Sequence, residues 1–308
     1  MKLSGSLSQA CTVTLAPNTL SKVWCIENNA GAAVTLTQGT GANVVIPNGG
    51  IRMVVTDGAG SGAAITDVLD VLGGTGNIAL GSGAMGTALT TGTDNVAIGE
   101  NALDAVTSGT DNTAVGDNAA GAVSTGADNT AVGSGALVTE DTGTRNTAVG
   151  SSALGTLNYD GAGYNTAVGY NAGTGITTGI LNTAVGSLAL DASTIGRYNT
   201  ALGYQALSTD IDGDFSTAVG YGTLATQESD GANQAVYNTA VGSYAGNGLT
   251  TAIHSTFLGG FAGGNAAVTG DNNTGVGYRS MYSNTSGSEN TGLGKDALYS
   301  NTVGLYNT

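Results

Sequence analysis

One pentapeptide constrains this chain more than any other feature. Asn-Thr-Ala-Val-Gly recurs at Asn112, Asn129, Asn146, Asn165, Asn182 and Asn238, and looser copies start at Asn77, Asn95, Asn199, Ser216, Ser255, Asn273 and Asn290. The usual step is 17 residues, stretched to 18, 19 or 22 at four places. A unit of that size cannot enclose its own apolar face, so a fixed period predicts a solenoid whose neighbouring coils share a core. Thirteen full repeats are present, and a fourteenth start is cut off at Asn307-Thr308.

Composition fits thin, closely stacked coils. Glycine takes 53 of 308 positions and charged residues 9%, against about 7% and about a quarter in ordinary chains. Two prolines and no Gly-X-Y triplet exclude collagen. Regular Ala-Val and Ala-Leu pairs exclude a polar disordered chain. A net charge of -15 with only seven basic residues argues against a nucleic-acid or anionic-membrane partner. The start lacks an apolar run of signal-peptide length, and no later segment is long and apolar enough to insert in a membrane. The expectation is a protein made and used without Sec export.

Strand alternation within one repeat puts Thr113 and Val115 on one face and Ala114 on the other, and Gly116 supplies a bend that a Cβ would obstruct. Two or three variable residues follow, then Ala-Leu or Ala-Gly (Ala136-Leu137, Ala153-Leu154), then a Thr/Ser/Gly turn. Two short strands per coil predict a flattened parallel β-roll. A three-sided helix of hexapeptides needs an aliphatic residue every six positions, and six after Val115 and Val149 stand Gly121 and Gly155. The expected repeat core is Asn112, Val115 and Gly116 with their counterparts Asn129, Val132, Gly133, Asn146, Val149, Gly150, Asn165, Val168 and Gly169. The asparagines are expected to form side-chain amide ladders.

Residues 1–72 lack the repeat. Apolar or alternating segments at Cys11–Leu15, Lys22–Ile26, Ala33–Thr37, Asn43–Ile46 and Ile51–Val55, separated by turn residues such as Pro17-Asn18 and Pro47-Asn48-Gly49-Gly50, predict a small antiparallel β domain. Trp24 is its expected core anchor, with an intersubunit contact as the alternative. Cys11 and Cys25 are expected to be buried thiols; a disulfide between them is the alternative. Val68–Leu72 with Gly73-Gly74 reads as the join, so 73–308 is the solenoid and the fold class is all-β. A coil this narrow shields itself poorly, which favours a homotrimer that buries a second apolar face.

The residue before each motif defines a column. Asp94, Asp111 and Asp128 begin it as a carboxylate ladder, a weak candidate for structural calcium against the plainer reading of solvated turn carboxylates. The column turns aromatic further on, and Tyr170, Tyr204, Tyr221 and Tyr278 follow the motif glycine as candidates for surface contact, with a glycan or with packing along the rod. Thr113, Thr130, Thr147, Thr166 and Thr183 make an ice- or glycan-binding face conceivable, but they share the strand with valine and are expected to be half-buried. The lone histidine, His254, has no chemical partner in sequence. No phosphate loop, metal cluster or nucleophile elbow is present, so neither a catalytic residue nor a cofactor site is expected. Insertions at 155–163 and 225–236 are read as outward loops, either lateral contact sites or tolerated surface.

Asn-Val-Ala-Ile-Gly at Asn95 and the serial Asn-Thr-Ala-Val-Gly-Tyr units resemble the β-roll heads of trimeric autotransporter adhesins. Tyr282–Thr291 is more similar to repeats of tailed-bacteriophage fibre proteins, and Trp24–Asn29 through Val34–Thr37 to Val54–Gly58 resembles a module of the same fibres. The resemblance implies a homotrimeric fibre of the virion, assembled in the host cytoplasm. Its N-terminal module would dock on other virion proteins, and its far end would meet a host receptor or glycan. A capsid-bound fibre or decoration protein and a bacterial adhesin head are the alternatives. Many such fibres end in a self-cleaving chaperone of endosialidase type, and an adhesin adds a signal peptide and a membrane barrel. None of these is seen in the repeats, so the expectation is cleavage or a fragment.

Overall fold

The computed structural model describes residues 1–15, 21–41, 43–46, 48, 51–59, 63, 65–71, 76–86, 89–229, 231, 234–264 and 267–308, with backbone alone for 65–71. The turns expected at Pro17-Asn18 and Gly49-Gly50 lie outside these residues, as do Leu72, Gly73 and Gly74 of the join.

All five strands expected before the repeats form: β2 (Cys11–Thr14), β3 (Ser21–Asn29), β4 (Val34–Thr37), β5 (Val44–Ile46) and β6 (Ile51–Asp57). Two more flank them, β1 (Lys2–Ser4) and β7 (Ile65–Val71). β3 pairs antiparallel with β6, and β6 with β7, but β1 joins β3 in parallel, and so does β2 with β4. Ile26, Val34, Leu36, Ile46 and Val54 alternate inward from these strands and make one core, against which Trp24, Val13 and Cys11 pack. Trp24 is therefore a core contact. Cys11 is half-buried, whereas Cys25 is exposed on the opposite face of β3, and both thiols are free. That corrects the expectation for Cys25, since strand alternation sends it away from the side that Trp24 and Ile26 share with the core.

From β8 (Ile78–Leu80) the solenoid begins. Its strands are three residues long, one per coil, running through β9 (Val96–Ile98) and β10 (Thr113–Val115) to β20 (Thr291–Leu293). Each pairs in parallel and in register with the next, so Thr113 lies on Thr130, Ala114 on Ala131 and Val115 on Val132. β7 pairs antiparallel with β8, so the N-terminal sheet continues into the solenoid sheet. Where a second strand per coil was expected, the described residues form turns. These are still joined coil to coil by backbone hydrogen bonds, such as Leu103 N–H to the Ala119 carbonyl (3.1 Å) and Thr107 N–H to that of Ser124 (2.9 Å).

The turns require left-handed backbone from ordinary residues. In each coil the residue before the asparagine has φ near +60°, as in Asp111 (57°), Arg145 (61°) and Leu181 (60°), and the leucine of the Ala-Leu pair does the same, as in Leu137 (52°). Such residues are strained there, and the stacking holds them. Gly116, at φ 133°, answers a second constraint: a Cβ would sit 2.7 Å from the carbonyl of Gly133 in the next coil.

The core is a thin file of small side chains. The strand alanines, from Ala97 through Ala218, are essentially fully buried and face Ala-Leu pairs such as Ala136-Leu137 and Ala153-Leu154. Phe257 replaces the alanine once, and its ring uses the space left at two positions. A Cβ on Gly263 would meet it at 2.4 Å and one on Gly275 at 2.8 Å.

Candidate contact surface

The asparagine that opens each repeat orders the strand. Asn112 is 1% exposed. Its backbone N–H and Nδ2 both donate to Asn95 Oδ1 (3.0 Å each), and Nδ2 also donates to the Gly126 carbonyl (2.8 Å). Its own Oδ1 accepts from the backbone and side chain of Asn129 (3.1 Å each). The pattern repeats along the rod, so the amides form the ladder expected from sequence. They are scaffold and not a binding site.

With asparagine and alanine inward, alternation turns four columns outward. These are the residue before the asparagine, the threonine, the valine, and the residue after the glycine. The valines expected in the core, Val115, Val132, Val149 and Val168, are on this outer face. They are half-buried except Val168, which is 37% exposed. The alanine takes the core position because a small side chain fits between the strand and the Ala-Leu pair, and the one large replacement, Phe257, is accommodated by Gly263 and Gly275. Where the column carries a larger side chain it is open, with Leu80 at 40%, Leu202 at 44% and Leu258 at 46%. Of the threonines beside them, Thr113, Thr130, Thr147 and Thr166 are half-buried, as expected, whereas Thr183 is exposed.

The two flanking columns change character along the rod. In the first coils they hold Asp94, Asp111 and Asp128 on the leading side and Glu100 and Asp117 on the trailing side, all exposed. Arg145 closes the acidic run, with Nε 3.5 Å from Asp128 Oδ2 and its guanidinium over the Tyr164 ring at 5.6 Å. All 12 tyrosines and all 3 phenylalanines lie at or beyond Tyr159. On the leading side Tyr198, Phe215, Tyr237 and His254 stack in one column, with centroids 4.8, 4.9 and 5.7 Å apart. On the trailing side Tyr204 stacks on Tyr221 at 5.4 Å. In the next two coils the column holds Ser243 and Gly260, and the rings of Tyr244 and Phe261, one residue further on, continue the contacts. Tyr170, Tyr204, Tyr221 and Tyr278 are 42–58% exposed, on the surface where the sequence put them.

The carboxylate ladder does not converge. Each member sits in its own coil, and among the described residues no group of three or more His, Cys, Asp or Glu could hold a metal ion.

The insertions differ from expectation. Instead of only looping outward, each sends a side chain into the core, Leu157 from the first and Gln227 from the second. Each is also pinned by a buried acid of the preceding coil. Glu140 accepts the Gly143 N–H at 2.7 Å and, through Oε2, that of Tyr159 at 3.3 Å. Asp210 accepts the Gly213 N–H at 3.1 Å, the Ser229 N–H at 3.4 Å and the Gln227 side-chain amide. Burial pushes both carboxyls above the usual carboxylate range. Gln227 also repairs the ladder where Ser216 replaces asparagine. Its Oε1 accepts from Asn238 Nδ2 at 2.9 Å, as an asparagine Oδ1 would, and its Nε2 donates to Ser216 Oγ at 2.9 Å. The sequence carried a sign of this, since serine stands at the start of the longest step. Asp230, Ala232 and Asn233 of this insertion lie outside the described residues.

Comparisons with protein families, with curated proteins and with solved structures find no match to this chain.

Proposed function

We propose that this chain is a structural fibre protein of a virion, a tail fibre whose three parallel copies form an elongated shaft or head for host attachment. The observation that carries the reading is the outer face of the solenoid sheet. A parallel sheet is ordinarily covered on both faces, yet here a continuous column of valine and leucine faces outward beside the threonines. Three copies turning this face to a common axis would cover it. The N-terminal sheet with its separate core suits a docking module on the particle, and the stacked coils suit a spacer with many identical weak contacts. The work assigned is mechanical and adhesive, toward a host receptor or glycan.

Light scattering with sedimentation velocity tests the assembly. Three chains of 29.9 kDa with a high frictional ratio are expected, and a compact monomer overturns the reading. Gold-labelled antibody on intact particles tests the location, with label at the tail expected and label over the capsid overturning the tail assignment.

A further inference from the structure

Resting on the trimer reading above, the geometry points to the aromatic columns of the later coils as the seam between adjacent chains, with the acidic flanks of the first coils held apart. The occupant of this surface is a second copy of the same chain.

Three observations lead there. The four outward columns lie on one face, in the order leading residue, threonine, valine, trailing residue. When three copies run in the same direction around one axis, the leading column of each meets the trailing column of the next. Thirteen strands about 4.8 Å apart, with a face seven residues wide at about 3.3 Å each, offer about 1,400 Å² per chain, or about 700 Å² toward each of two neighbours. That is close to the standard stable interface of about 800 Å² per partner.

The rings themselves favour a protein partner over a sugar. Saccharides stack on aromatic faces, but Tyr198, Phe215 and Tyr237 cover one another's faces, with interplanar angles of 3° and 12°. Each residue is still 37–51% exposed, and with the faces stacked the ring edges are left for a partner. Ring edges meet other rings well in edge-to-face contact. The trailing column supplies such rings in two of the same coils, at Tyr204 and Tyr221, and Tyr244, one residue beyond the column in the third, packs edge-on against Tyr221.

Charge sets the boundary. In the first coils the same seam would bring Asp94, Asp111 and Asp128 toward Glu100 and Asp117 of a neighbour, like charges that repel unless solvated. The chains are therefore zipped from about Tyr164 onward and hydrated along their flanks before it.

The test uses the full chain. Ruthenium-photosensitised coupling with persulfate as oxidant joins tyrosines in contact, and covalent dimers and trimers on a denaturing gel are expected from the wild type. A triple variant, Tyr198→Asn, Phe215→Asn and Tyr237→Asn, keeps a residue tolerant of positive φ at each site. Followed by sedimentation on dilution, it is expected to dissociate at concentrations at least about 100-fold above wild type. Asp94→Asn, Asp111→Asn and Asp128→Asn together are expected to leave the trimer no looser. A wild-type trimer whose tyrosines couple only within chains, or a ring variant that dissociates at the wild-type concentration, overturns the seam while leaving the trimer standing. Tyrosine fluorescence that then responds to added dextran would pass the rings to a saccharide. A wild type that sediments as a monomer is a different failure, and it removes the trimer reading itself.

Discussion

Asn112 directs every polar atom of its side chain at a neighbouring coil, and that makes it more than a turn residue. Replacing it with alanine leaves the Asn129 N–H and the Gly126 carbonyl without their partners in a dry core. Orphaning a buried polar group costs about 1–3 kcal/mol each, so Asn112→Ala is expected to lose about 2–5 kcal/mol. Urea unfolding against wild type measures it, and a loss under 1 kcal/mol would mean the ladder is not holding the coils. Phe257 makes a second case, because its ring fills the space left by Gly263 and Gly275, where other coils carry a leucine and an alanine. Phe257→Ala should cost about 3–5 kcal/mol, and Gly275→Ala should also destabilise, since its Cβ would sit 2.8 Å from the ring. If the clash is the cause, the double variant is less destabilised than the sum of the two, which a double-mutant cycle reads directly.

The asparagine ladder was legible in the sequence because identity and period coincide there. The left-handed residues were not. Asp111, Arg145, Leu181 and Tyr237 share no side-chain chemistry, and none favours positive φ as glycine does. What puts them in that region is the stacking of whole coils, which no local preference encodes. The burial of alanine in place of valine was half legible. Alternation separated the two faces, but valine was expected in the repeat core, and the structure buries the alanine against the Ala-Leu pair instead.

At the scale of elements, the two insertions are held by groups that titrate. Glu140 and Asp210 keep their protons to higher pH in the fold than in the unfolded chain, because burial penalises the carboxylate. The folded state therefore binds more protons than the unfolded state as pH rises from about 4, and stability falls through that window until the folded groups ionise. Their contribution is fully present in acid and lost toward neutral pH, opposite in sign to a salt-bridged carboxylate. Urea midpoints taken from about pH 4 to about pH 7 should decline for wild type, and Glu140→Gln with Asp210→Asn should flatten the slope. A double variant with the wild-type slope would place the titration elsewhere. Gln227 belongs to the same element and stands in for the asparagine missing at Ser216. Gln227→Ala is expected to cost about 1–3 kcal/mol by leaving Asn238 Nδ2 and Asp210 short of a partner, and Ser216→Asn should return part of that loss.

For the whole molecule the decisive surface is the valine column, because its side chains read differently in one chain and in three. Within one chain Val132 and Val149 are half-buried on the outside of the sheet and support little of the core. A change there to glutamate should move monomer stability by no more than about 0.5 kcal/mol, as for other open surface sites. In a trimer the same positions face the axis, where three copies of each glutamate would meet with no basic residue in the column to answer them. Removing charges from water and crowding them together costs several kcal/mol per group. Val132→Glu with Val149→Glu is therefore expected to abolish the trimer at neutral pH while leaving each coil folded. Acid should partly restore it as the carboxyls protonate. Sedimentation velocity at both pH values reads the assembly, and circular dichroism reads the fold. A double variant that stays trimeric at neutral pH would show that the three chains, if they associate, do so through another face. The valine column would then need some other cover, and the strongest physical argument for a fibre of three would move with it.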